Sequence, residues 1–215
     1  MLNAIRLLAF AGLMSLTASV PAAEPSWRDF KDVVNTSYTE PSGERSLQLS
    51  IDVPASPHEA FIAFTTSEGF SSWAVPIAKV DFRVGGYIEA SYDPNAKIGD
   101  PANIKNGIVA YVPDRVLVIH NIQAPADFAD QELFQRTVTI IEFTSLAPRG
   151  TRVTITNAGY GAGERFDTLY RHFEWGNAYT LQALKARFEK GPVDWSAKKA
   201  KLKSEAAART VEKAD

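Results

Sequence analysis

The chain contains no cysteine, two methionines and three histidines. Without cysteine there is no disulfide, no thiolate metal site and no thiol nucleophile. The histidines, His58, His120 and His172, have no i,i+4 spacing, so the sequence carries no helical metal pair. Neither G-x-S-x-G nor S-x-x-K occurs. Gly85-Gly86 and Gly161-Ala162-Gly163 lack the strand-to-helix context of a phosphate loop. Positive charge is not in excess either. With 23 basic and 25 acidic side chains the formal charge is −2, which argues against nucleic-acid binding through general electrostatics. No apolar run reaches the roughly 20 residues that span a bilayer.

What is present begins with a leader. Arg6 precedes the apolar stretch Leu7–Leu16, and Ser19-Val20-Pro21-Ala22-Ala23 offers small residues to a signal peptidase. This is the layout of a secretory signal peptide, with cleavage expected after Ala22 or one residue later. Arg6 is the single charge removed with residues 1–22, so the expected mature chain carries −3. An exported protein without cysteine relies on its apolar core alone. Asn35-Thr36-Ser37 matches a glycosylation acceptor and is read here as strand residues.

Val33–Tyr38 and Arg45–Val53 flank the turn-forming Glu40-Pro41-Ser42-Gly43, and Leu47, Leu49, Ile51 and Val53 alternate onto one face. Ser56-Pro57-His58-Glu59 supplies an N-cap, a first-turn proline and a capping-box acid for a short helix. A second helical turn is expected over Thr66–Trp73. The period then switches to two, with strands expected at Ala78–Val84, Tyr87–Tyr92, Ile108–Val112, Arg115–Ile122, Arg136–Thr144 and Thr151–Asn157. Short strands in succession predict an antiparallel meander, with Gly85-Gly86 as a bulge that bends it. Gln123–Gln135 is a long connection, with one helical turn expected near Gln131–Phe134. From Phe166 to Phe188 apolar residues recur at helical spacing until Gly191-Pro192. Gly176 in mid-helix points to close packing or a kink. Residues 196–215 hold six basic and three acidic groups with little apolar surface, so the end of the chain reads as a disordered or frayed tail. The expected division is a signal peptide over 1–22, one domain over 23–192 and a charged tail over 193–215.

A curved sheet with one long helix across it leaves a natural gap between them. Four stretches carry a family resemblance. Val80-Asp81-Phe82-Arg83-Val84-Gly85-Gly86 resembles the sheet signature of the activator-of-Hsp90-ATPase-homologue (AHSA1-like) branch of the START/Bet v 1-like (SRPBCC) superfamily. Gly107-Ile108-Val109 through Pro113-Asp114-Arg115-Val116-Leu117 resembles its middle strands. Val138-Thr139-Ile140-Ile141-Glu142-Phe143 and Gly150-Thr151-Arg152-Val153-Thr154 resemble the next pair. Gly176-Asn177-Ala178-Tyr179-Thr180-Leu181 resembles the closing helix of exported members. The similarity covers roughly residues 35 to 192. It implies an α+β helix-grip fold, a curved antiparallel sheet wrapped around a long C-terminal helix, with two short helices near the N-terminus and a cavity for an apolar or amphipathic small molecule. Stimulation of Hsp90 does not transfer, because it needs a cytosolic, ATP-driven partner that an exported protein does not meet.

Within that fold, Phe70 and Trp73 from the second helical turn, Phe128 and Phe134 from the long connection, and Tyr170, Phe173 and Trp175 from the closing helix are expected around the cavity. Tyr111, His120, Asn157 and Asn177 are its expected polar handles. Glu142 shares the phase of Val138 and Ile140, and it points inward if that phase faces the core. Otherwise that phase is the outer face near the sheet end, or Glu142 pairs with Arg83 or Arg152. The leading expectation is an extracytoplasmic binding protein, periplasmic or secreted, with no cofactor, no metal and no nucleic-acid partner. A cyclase-, aromatase- or hydrolase-like enzyme would instead use His120 or Glu142 as acid and base in the cavity. An envelope stress or chaperone-like interaction protein would show an exposed apolar patch.

Overall fold

The computed structural model describes residues 25–125, 128, 130–197 and 200. The expected leader and residues 201–215 of the tail lie outside the described residues.

Strand β3 (Arg45–Val53) turns Leu47, Leu49, Ile51 and Val53 into the core, each at most 2% exposed. Two short strands, β1 (Val34–Asn35) and β2 (Tyr38–Thr39), pair antiparallel with it. Asn35 is thus a strand residue, and its amide donates to Glu174 Oε1. Helix α1 (Pro57–Thr65) starts as its sequence requires. Ser56 Oγ accepts the Glu59 N–H at 3.2 Å, and the Glu59 carboxylate accepts the Ser56 N–H at 2.8 Å. Thr66 then caps the short α2 (Ser67–Ser71) through the Gly69 N–H.

The meander follows: β4 (Ile77–Asp81), β5 (Tyr87–Ser91), β6 (Ile104–Val112), β7 (Val116–Gln123), α3 (Gln131–Arg136), β8 (Val138–Ser145) and β9 (Thr151–Tyr160). The strands form one antiparallel sheet in the order β1-β3-β9-β8-β7-β6-β5-β4, with β2 also on β3. Gly85-Gly86 is not a bulge inside a strand but the turn between β4 and β5. Gly85 has a φ of +77°, and a Cβ on Gly86 would lie 2.0 Å from the Asp81 carbonyl oxygen. Helix α4 (Glu164–Lys190) closes the fold, burying Leu169, Ala178, Leu181 and Leu184. It packs chiefly on β3, with lighter contact to β9. That off-centre seat leaves the face beneath β5–β8 and part of β9 open toward α4. Packing continues past Pro192, where the Val193 N–H donates to the Ser72 carbonyl and the Trp195 indole donates to the Ser71 carbonyl.

Candidate functional site

The open face holds a hollow of about 300 Å³. Its floor comes from the inward phases of five strands: Ile88 on β5, Ile104 and Asn106 on β6, Ile119 on β7, Thr139 and Ile141 on β8, Ile155 and Asn157 on β9. Phe173, Gly176, Asn177 and Thr180 of α4 form the roof, and Phe64 and Phe70 of α1 and α2 close one end. Phe128 of the long connection and Phe134 of α3 close the other. Tyr92 and His172 mark the rim, both exposed. An annex of about 110 Å³ adjoins it and shares Phe70, Tyr92, Ile104, Asn106 and Thr180.

Six of the residues expected at the cavity from the sequence line this hollow: Phe70, Phe128, Phe134, Asn157, Phe173 and Asn177. Trp73 lines only the annex. It is 2% exposed and its indole N–H donates to the Ala63 carbonyl at 2.9 Å, which makes it core. Tyr111 packs on Phe82 at 4.4 Å between ring centres, away from the hollow. Tyr170 lies against the buried Tyr160 at 5.2 Å, with the Arg45 guanidinium 5.0 Å above its ring. Trp175 stacks on Tyr179 at 5.4 Å on the outside of α4, and Phe30 lies beside both.

The two candidate acid–base residues lie outside. On β7 the inward phase is Leu117, Ile119 and Asn121, all buried, so the period of two turns His120 to the outer face. There its ring covers Gly107, on which a Cβ would lie 3.2 Å from His120 Nε2. On β8 the buried residues are Ile141 and Phe143, so Glu142 is exposed on the opposite phase. It borders a shallow outer depression with His58 and Asp114, whose side chains meet at 2.9 Å. Neither expected partner joins it, because Arg83 pairs with Asp81 at 2.9 Å and Arg152 with Asp52 at 2.8 Å.

The polar equipment of the hollow is different and neutral. Thr139 and Asn157 face each other across the β8–β9 ladder, and Asn157 Nδ2 donates to Thr139 Oγ1 at 2.6 Å. Asn177 Nδ2 of α4 donates in turn to Asn157 Oδ1. Asn106 Oδ1 accepts from Asn121 Nδ2 at 3.3 Å. His172 packs against Phe128 at 5.4 Å and Phe173 at 5.2 Å, and partial burial lowers its pKa below the ordinary value. Sequence reasoning missed Asn106, Thr139, Thr180, Tyr92 and His172. Continuing the alternation of β6 back to Ile104 would have found Asn106, whereas His172 stands five residues before Asn177, off the i,i+4 row that joins Asn177 to Phe173. Among the described residues, no group of three or more His, Asp or Glu side chains is arranged to hold a metal ion.

A curved antiparallel sheet gripping one long helix, with a hollow between them, is the helix-grip architecture of the SRPBCC class. Residues 54–189, more than half of the chain, match the family model described as activator of Hsp90 ATPase homolog 1-like protein. The chain belongs to that family. The fold is shared with the Aha1 dimer from Colwellia psychrerythraea, at 18% identity and a TM-score of 0.53, covering 68% of this chain and 97% of that one. It is also shared with CalU16 from Micromonospora echinospora, at 19% identity and a TM-score of 0.52, covering 82% and 96%. No curated protein matches the chain. Among the described residues no helix is long and apolar enough to cross a membrane.

Proposed function

We propose that this is an exported protein that binds an apolar or amphipathic small molecule between its sheet and α4. The observation that carries the reading is the hollow itself. Its volume lies at the lower end of the range of small-molecule sites, and ring and branched aliphatic side chains form most of its wall, with a few neutral polar groups converging on it. The leader motif over residues 1–22 supports export. Acid–base catalysis by His120 or Glu142 has no support, because both side chains lie on the outer face. Stimulation of Hsp90 is not part of this reading, since an exported chain meets neither that partner nor its ATP.

The test is native mass spectrometry of protein purified under non-denaturing conditions, together with titration of the apolar fluorophore N-phenyl-1-naphthylamine. A mass excess of one small molecule, or saturable fluorophore binding displaced by extracted lipids, is the expected result. A chain that carries nothing and leaves the fluorophore dark overturns the proposal.

A further inference from the structure

None of the residues lining the hollow is Asp, Glu, Lys or Arg. The nearest titratable imidazole, His172, sits at the rim against two phenylalanine rings. An ionised ligand entering this space would lose its water and meet no countercharge. The wall is not featureless, however. Its hydrogen bonds fix three amides and leave specific groups over. Thr139 Oγ1 accepts from Asn157, so its own proton remains to be given. Asn177 spends one N–H on Asn157, and its Oδ1 has no donor among the described residues. Asn106 spends its Oδ1 on Asn121, which leaves its two N–H groups. Asn106 on β6 and Asn157 on β9 are three strands apart, about 14 Å across the sheet. Ile119 and Ile141 lie between them, and Phe173 lies above on α4. The hollow is therefore a greasy slot with uncharged donors at both ends and an acceptor in Asn177 Oδ1.

Resting on the binding function proposed above, we infer that the ligand is an uncharged ring molecule carrying hydroxyl or carbonyl oxygen, a phenol or cyclic ketone rather than a fatty acid or an amine. A ring fills the slot between the isoleucine floor and Phe173. Its oxygen takes the Thr139–Asn157–Asn177 end, or the Asn106 end, or both. A space of about 300 Å³ equals about ten waters of liquid, which is room for two fused rings.

Three probes of one shape test this on the full chain by calorimetric titration at pH 7: naphthalene, 2-naphthol and 2-naphthoate. At that pH the naphthol is neutral and the naphthoate ionised. The expected order is 2-naphthol tightest, with naphthalene and 2-naphthoate each at least tenfold weaker. Asn177→Leu, on a half-buried helix position, is expected to collapse the preference for 2-naphthol over naphthalene from at least tenfold to within threefold. Asn157→Leu is expected to do the same if it folds, and the Asn177 variant decides the matter if it does not. Equal binding of naphthalene and 2-naphthol, or tight binding of 2-naphthoate, overturns the ligand class and leaves the binding function standing. If none of the three binds, and the fluorophore does not, both fall together.

Discussion

Glu89 is a carboxylate 1% exposed on the outer face of β5, back to back with Ile88 and Ala90. Burial alone raises its pKa. The hydrogen bonds from Asn103 Nδ2 at 2.7 Å and the Gly99 N–H at 2.5 Å, with Lys105 Nζ at 3.5 Å, outweigh that and hold it below its ordinary value. The same carboxylate ties down the connection from β5 to β6, at whose two ends the wall residues Tyr92 and Ile104 stand. Because the folded pKa is depressed, the stability Glu89 contributes is present above the unfolded value of about 4.5 and is lost as pH falls through the folded one. Urea unfolding from pH 7 to pH 3 is expected to show this loss. Glu89→Gln, which keeps the shape and removes the charge, is expected to flatten that limb and cost about 2 kcal/mol at pH 7. An unchanged acid limb in the variant would refute the assignment. At this scale the sequence was least legible. Period two shows that Glu142 and Ile141 face opposite ways but not which faces in, and a glutamate on an outward phase reads as solvated until a loop is seen to cover it.

At the scale of elements, α4 shows how position changes the meaning of a residue. Of the two readings of Gly176 in mid-helix, close packing or a kink, the first does not hold, because a Cβ there would have nothing within 4 Å and the residue lines the hollow. Its cost to the helix is therefore not offset by a tight contact. Gly176→Ala is expected to raise stability by about 1 kcal/mol, read from the urea midpoint. Gly176→Leu would push a branched side chain into the space and is expected to weaken N-phenyl-1-naphthylamine binding at least tenfold without lowering stability. Undiminished binding in the leucine variant would place the ligand elsewhere. The elements themselves were legible. The Ser56–Glu59 capping box, the β3 alternation and the apolar spacing of α4 are local patterns, and each sits within a few residues of its expected place. Two boundaries moved for tertiary reasons: β6 begins at Ile104 because it pairs with β5 and β7, and β8 begins at Val138 because Gln131–Arg136 is helical.

For the whole molecule, the overall charge conceals two unlike parts. Residues 23–195 hold 16 basic and 22 acidic groups, a net charge of −6, while the last twenty residues carry an excess of three positive charges. The leader predicts that the chain recovered from the extracytoplasmic fraction of a bacterial host begins at Ala23 or Glu24. N-terminal sequencing of that fraction checks it, and a cytosolic chain still beginning at Met1 would contradict it. The sequence by itself determined the kinds and order of the elements, because caps, turns and apolar periods are written within a few residues of one another. It also determined the fold class, since a meander followed by one long amphipathic helix has few ways to bury its surfaces. Only the tertiary structure decided where α4 lies on the sheet, and so which inward side chains are core and which line a space. That choice depends on the sheet's curvature and on contacts such as that between Asn35 and Glu174, 139 positions apart, which no local pattern encodes.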